Sequence, residues 1–360
     1  MSISSATLDA RRNSERETIS EAAFSGKIVA MSWSRQADRL LVGANSGQLA
    51  ILALGGGILN QWQAHKGTIL QAHWEGSGDF IATSGTDELC KIWSTRSGEC
   101  IATINPNDGW TEHLSWSPWL PLLLTSQASL LRVWTTTGAL VDEQDKHTWP
   151  ITALHWHPFS QSCFASAAAD GLYTWKLGEQ FPTARLNCKG YPTALKYNRS
   201  GSVIAYMSTA GLSVWSVGSS VVLHVGGTTT PSTTSLDWSW GGQWLACSLN
   251  SEARLWGFNN RAPKTAVPQA LYGEIGQIRF VQFHDYDQLL AMSDEDGSVV
   301  IWRTDRRDRL DPVAYLRSAH AVSSLKWNPL AHILAIGYDN GCLRLWQHPF
   351  GSITNGEKEC

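Results

Sequence analysis

The sequence predicts an all-β fold, a single closed β-propeller of eight four-stranded antiparallel blades, and three observations predict it. An alternating segment ending in an aromatic residue recurs eight times. A second aromatic series runs out of phase with the first. Nineteen tryptophans stand in 360 residues, and most of them fall on these two series. Trp is large, favours strands and needs specific places to pack, so its regular recurrence marks repeated sheet.

The first strand of each unit closes the first series: IVAMSW at Trp33, ILQAHW at Trp74, TEHLSW at Trp116, ITALHW at Trp156, PTALKY at Tyr197, TTSLDW at Trp238, IRFVQF at Phe283 and VSSLKW at Trp327. The intervals are 41, 42, 40, 41, 41, 45 and 44 residues, the length of one four-stranded blade. A second apolar strand follows, as in FIATSG, LLAMSD and ILAIGY, and turn-forming pairs such as Asp-Gly and Asn-Gly separate it from the third. That third strand carries the second series, at Trp93, Trp134, Trp175, Trp215, Trp256, Trp302 and Trp346, with Leu52 in the matching place of unit one. A short polar stretch then leads to a fourth strand, such as ECIATI or PVAYLR. Such a sheet is too small to stand alone. Stacked radially it buries both faces, and the aromatic series fill the wedges between neighbours. The two series account for 13 of the 19 tryptophans.

Unit eight lacks a fourth strand, because QHPFGSITNGEKEC offers none after Trp346. Residues 17–27 (ETISEAAFSGK) stand where a fourth strand precedes every other unit, so they are expected to complete the last blade and remove its unpaired edge. Eight first strands favour eight blades over the alternative of seven. The expected organisation is a flexible segment over residues 1–16, the propeller over 17–350 and a flexible tail over 351–360.

Unit two carries Ala64-His65 before its first strand, Thr83 on the second, Asp87 in the following turn and Trp93 six residues later. With this set the units resemble those of the WD-repeat family, over residues 28–348. The resemblance implies that His65, Thr83, Asp87 and Trp93 form a hydrogen-bonded chain across the blade, and the chemistry suits it: a carboxylate accepts from an imidazole N–H, and a buried indole N–H needs an acceptor. The set is thus structural and not catalytic. Unit four keeps His147, Ser166, Asp170 and Trp175. Unit seven keeps Asp296 and Trp302 without the His. Unit eight has His320 and Trp346, with Asn340 in place of the Asp and Ile336 where a hydroxyl is expected. Units three, five and six keep little but the Trp.

Hydrophobic residues make up 43% of the chain and charged residues 16%, against about 25% charged in ordinary soluble domains, as befits a large packed interior. A net charge of −3 gives no general attraction to nucleic acid or to acidic membrane surfaces. No run of eighteen apolar residues occurs, and the N-terminus is polar without a signal-type stretch, so a cytoplasmic protein that binds neither nucleic acid nor membrane is expected. The seven cysteines lack CxxC spacing and read as buried free thiols.

The resemblance places the residues just before each first strand at one end of the ring, around the channel mouth. Trp110, Trp149 and Tyr191 stand there on the consecutive units three, four and five, outside both structural series, and could anchor a partner. Lys66, Thr68, Asp108, Glu112, Gln277 and Arg279 would supply polar surroundings. Alternatively the rings of Trp149 and Tyr191 pack their turns, flat on Pro150 and Pro192. Trp119, Trp240 and Trp244 form a second set towards the opposite end, where they would plug hairpins, and Trp62 falls on a fourth strand as outer packing. His73, His113, His155 and His157 lie on or beside first strands, yet no HExxH or paired Cys/His spacing joins them, so ordinary strand histidines are expected over metal ligands. The loop 303–311 interleaves four arginines with three aspartates and reads as a solvated loop or a salt-bridged docking tab. The GGGI turn at 55–58 lacks the Lys and helix of a phosphate loop, and there is no GxSxG elbow. The expectation is a non-catalytic scaffold without cofactor, monomeric by itself, whose rim loops bind a protein or peptide. The alternative is a small-ligand or metal-binding propeller using the channel mouth.

Overall fold

The computed structural model describes residues 18–104, 109–219, 222–226, 235–249, 251–259, 262–263, 268–272, 276–286, 288–305 and 310–348. They form eight antiparallel sheets and, among the described residues, no helix. The first strands are Ile28–Trp33, Ile69–Trp74, His113–Trp116, Ile151–Trp156, Pro192–Tyr197, Leu236–Trp238, Ile278–Phe283 and Val322–Trp327. Each packs beside the next, and the eighth returns to the first, which closes the ring. Within a blade the strands follow chain order, as in blade two, where Ile69–Trp74 pairs with Phe80–Gly85, then Cys90–Ser94, then Cys100–Ile104. Blade six carries an additional strand, Ala262–Pro263, paired on Glu252–Asn259 beside the strand Gln269–Tyr272.

In blade eight the fourth position is filled from the other end of the chain. Thr18–Ala23 pairs antiparallel with Cys342–Gln347, with Glu21 opposite Arg344 and an ion pair of 2.9 Å between them. Directly after this strand, the Phe24 amide donates to the Gly341 carbonyl, and the buried Phe24 ring joins a cluster with Leu343 and Leu345 of blade eight and Trp33 of blade one. The closing strand thus ties the last blade to the first. Gly341 has φ +85°, and a Cβ there would lie 2.3 Å from the Phe24 carbonyl oxygen, so glycine is required by both the left-handed turn and the close approach. The segments 1–16 and 351–360 lie outside the described residues.

The core is the set of interfaces between blades. Leu41, Leu49 and Ile51 of blade one pack with Ile69, Trp74, Ile81 and Trp93 of blade two, and comparable clusters recur around the ring. The first aromatic series does more than fill these wedges. Each of its six indoles donates to a backbone carbonyl of the preceding blade: Trp33 to Lys326 (3.2 Å), Trp74 to Ser32 (2.9 Å), Trp116 to His73 (3.1 Å), Trp156 to Ser115 (2.9 Å), Trp238 to Lys196 (3.3 Å) and Trp327 to Gln282 (3.1 Å). The acceptor always precedes the aromatic residue of its own blade by one position. At the Phe283 position a backbone amide substitutes, donating to Asp237 Oδ2 at 2.8 Å.

The cysteines depart from expectation. Cys90 and Cys247 are buried, but Cys100 is exposed and Cys163, Cys188 and Cys342 are half-buried. Cys100 opens a fourth strand, whose outer edge no blade covers.

Candidate functional site

In blade two the expected chain is assembled. His65 Nδ1 lies 2.8 Å from Asp87 Oδ1, His65 Nε2 lies 2.8 Å from Thr83 Oγ1, and Trp93 Nε1 donates to the same hydroxyl oxygen at 2.9 Å. With the proton on Nδ1 every donor has an acceptor: indole to hydroxyl, hydroxyl to Nε2, imidazole N–H to carboxylate. Burial pushes the His65 imidazole below its ordinary value, outweighing the carboxylate. Burial alone would raise the Asp87 carboxyl, but bonds from His65 and from the Lys66 and Leu89 amides hold it below the usual range. Blade four repeats the chain with His147, Asp170, Ser166 and Trp175 at 2.6, 2.7 and 2.8 Å.

Blade three keeps one step, Trp134 to Thr125. Where no hydroxyl stands at the register position of Thr83, the indole is orphaned: buried Trp256, Trp302 and Trp346 Nε1 have no acceptor, opposite second strands with Cys247, Met292 and Ile336 at that position. His320 of blade eight is half exposed and 3.7 Å from Asp339, so the chain does not form there.

These chains fix the upper end, where first strands begin. The second oxygen of each carboxylate accepts the amide of the residue after the histidine, Lys66 in blade two (3.0 Å) and Thr148 in blade four (2.7 Å). Thr148 is thereby pinned, and Trp149, the next residue, is presented outward. Tyr191 is held by reciprocal bonds with Thr209, and Trp110 follows Gly109, whose carbonyl accepts from Gln127. Trp110, Trp149 and Tyr191 are 51%, 56% and 42% exposed, at the same end of three consecutive blades. Lys66 is exposed on the adjacent blade two. Arg279 is exposed but sits on blade seven, two blades beyond Tyr191, at a bulge in the first strand. The ring geometry therefore gathers Lys66 with the aromatic trio and leaves Arg279 apart. Asp108 and residues 306–309 lie outside the described residues.

At the lower end, where first strands finish, a polar side chain follows each aromatic of the first series and accepts turn amides. Ser34, Glu75, Ser117, His157, Asn198, Ser239, His284 and Asn328 all do this. His157 is thus a turn cap, its Nδ1 accepting from the Phe159 and Ser160 amides at 3.1 and 2.8 Å. His155 meets the Trp156 carbonyl and His73 meets Gln71. Among the described residues no group of three or more His, Cys, Asp or Glu side chains is placed to hold a metal ion.

The sequence reading overlooked these caps, although one polar residue in constant phase with the aromatic series was visible. Of the lower tryptophans, Trp244 is buried as a plug. Trp119, 45% exposed, pairs with Phe159, and Trp240 pairs with Tyr286. Trp62 packs against Trp93 as outer-strand cover.

The family model described as Anaphase-promoting complex subunit 4 WD40 domain matches residues 31–118 and 281–356. The WD repeat-containing protein slp1 of Schizosaccharomyces pombe is 23% identical over 198 residues, 52% of this chain and 40% of that protein. The U5 small nuclear ribonucleoprotein 40 kDa protein of Dictyostelium discoideum is 22% identical over 159 residues, 43% of this chain and 45% of its own. An intraflagellar transport protein 80 homolog of Rattus norvegicus is 25% identical over 130 residues, 36% of this chain and 16% of that protein. The chain thus spans less than half the length of these curated relatives. Among solved structures, the computationally designed Ika8 protein superposes with a TM-score of 0.76 at 17% identity, over 92% of this chain and 100% of its own. That likeness is one of fold alone.

Proposed function

For this chain, a WD-repeat β-propeller, we propose a non-catalytic scaffold role in which rim loops at the upper end bind a protein or peptide partner. One observation carries the reading: Trp110, Trp149 and Tyr191 stand exposed on three consecutive blades, and bonds to Asp170 and Thr209 fix the backbone beside Trp149 and at Tyr191. Exposed aromatics on a rigid frame bind with little loss of conformational freedom, which is the character of interface anchors. Lys66 supplies a charge beside them, and Arg279 serves a separate part of the same rim.

The named relatives support the reading at the level of class, since one of them is by name part of a ribonucleoprotein. No nucleic acid or cofactor enters the reading, and the chain acts as a monomer until its partner binds, in the cytoplasm. No helix among the described residues is long and apolar enough to cross a membrane.

The test is quantitative capture of partners from an extract of the source cell, comparing the wild type with the Trp110→Ala, Trp149→Ala, Tyr191→Ala triple variant. With matching thermal midpoints for the two proteins, the reading expects loss of the captured protein. Unchanged recovery rejects the patch.

A further inference from the structure

The lower end carries a built depression that the scaffold reading does not use. Turns that finish first strands line an open depression of about 340 Å³, inside the roughly 300–1,000 Å³ range of ligand pockets. Arg35 comes from blade one and Arg199 from blade five, with Trp119, Phe159 and Trp240 from the blades between and beyond. In a ring of eight, blades one and five face each other. The depression therefore lies over the central mouth, not on the circumference.

Both guanidiniums lie beside aromatic rings. The Arg35 Cζ is 5.7 Å from the Trp119 ring centroid, and one of its N–H groups donates to the Pro118 carbonyl at 3.1 Å. Arg199 lies over the Trp240 ring, and its Cζ is 5.9 Å from the centroid of Phe159. Among the described residues no carboxylate forms an ion pair with either arginine. Apart from the Arg35 bond to Pro118, neither guanidinium donates a hydrogen bond among the described residues, which leaves N–H groups to receive a carboxylate. The caps fix the backbone beneath: Asn198 and Ser239 in blades five and six, and Ser117 and His157 in blades three and four.

We propose that this depression binds an acidic peptide segment of a partner protein, in which two carboxylate side chains bracket an apolar residue. Each carboxylate meets one arginine, and the apolar side chain lies on the exposed rings between them. Charge decides the class. Two arginines facing each other across the mouth repel a methylated lysine that aromatic rings alone would accept. Asp285 beside Arg199 limits the negative charge the mouth accepts, which favours two separated carboxylates over the continuous polyanion of a nucleic acid.

The test is fluorescence anisotropy with the full chain and a labelled Gly-Ser-Asp-Phe-Glu-Ser-Gly peptide, beside its twin with Asn and Gln for the two acids. The acidic peptide is expected to bind about tenfold or more tighter than the twin, and Arg35→Gln and Arg199→Gln are each expected to weaken it by about tenfold, the size of one charged hydrogen bond. Trp149→Ala, at the other end, leaves the affinity unchanged, so this proposal and the upper-end reading can fail separately. Any of four results overturns it: no anisotropy change with the acidic peptide, equal binding of the twin, unchanged binding in both arginine variants, or displacement of the peptide by a single-stranded oligothymidylate.

Discussion

Thr83 accepts a hydrogen bond from Trp93 and donates one to His65, so a single hydroxyl satisfies two buried nitrogens. Thr83→Val keeps the shape and orphans both, which should cost about 2 kcal/mol or more of stability. The matching change in blade eight, Ile336→Val, removes a methylene beside an indole that already lacks an acceptor and should cost about 1 kcal/mol. Denaturant unfolding of the two variants measures the difference. The same chain sets a pH dependence. Burial depresses His65 and His147 in the folded state, so the folded chain binds fewer protons than the unfolded chain below the ordinary histidine value. Their stabilising effect is therefore complete above about pH 6.5 and is lost as pH falls through the depressed values. Asp87 and Asp170, also depressed, extend the loss into the carboxylate range. The thermal midpoint should fall from about pH 7 to about pH 5, and a midpoint that rises over that interval would contradict the chain's assignment.

At the scale of the strand, the aromatic at the end of each first strand bonds the neighbouring blade as well as filling the wedge. Trp74→Phe keeps most of the buried ring but removes the bond to the Ser32 carbonyl. It should cost about 1–2 kcal/mol, whereas Trp149→Phe on the exposed turn should stay within about 0.5 kcal/mol. Thermal melts of the two variants make the comparison. The strands themselves were legible in the sequence because alternation and a near-constant period survive the loss of individual residues: Leu52, Tyr197 and Phe283 all stand in for Trp without shifting the phase. The inter-blade indole bonds were not legible, since each acceptor is a carbonyl some 40 residues away, brought near only by closure. The turn caps were legible in principle and obscured by chemistry, because His157 in the cap position reads as a candidate metal ligand when taken alone. The Arg35 and Arg199 pairings lay beyond reach for a third reason. Arg35 meets Trp119 two blades away and Arg199 meets Phe159 and Trp240 on the blades either side of it, contacts between turns that no periodicity within a unit encodes.

At the scale of the whole molecule, the ring leaves three kinds of surface: two ends and a circumference of fourth strands. The upper end presents Trp110 and Trp149, and the lower end presents Tyr286 beside the arginine depression. The circumference exposes apolar side chains of its own, Leu59 on Ile58–Gln63 and Leu140 on Leu140–Gln144. On the proposed function, partners bind at the ends, where bonded turns present side chains, and the fourth strands are cover for the blades. The most direct measurement is photocrosslinking in the source cell, with benzoylphenylalanine placed singly at positions 110, 149 and 286 and at positions 59 and 140, all exposed in the free chain. Discrete protein adducts from position 110, 149 or 286, and none from 59 or 140, are the predicted result. Adducts from 59 and 140 with none from the ends would contradict it.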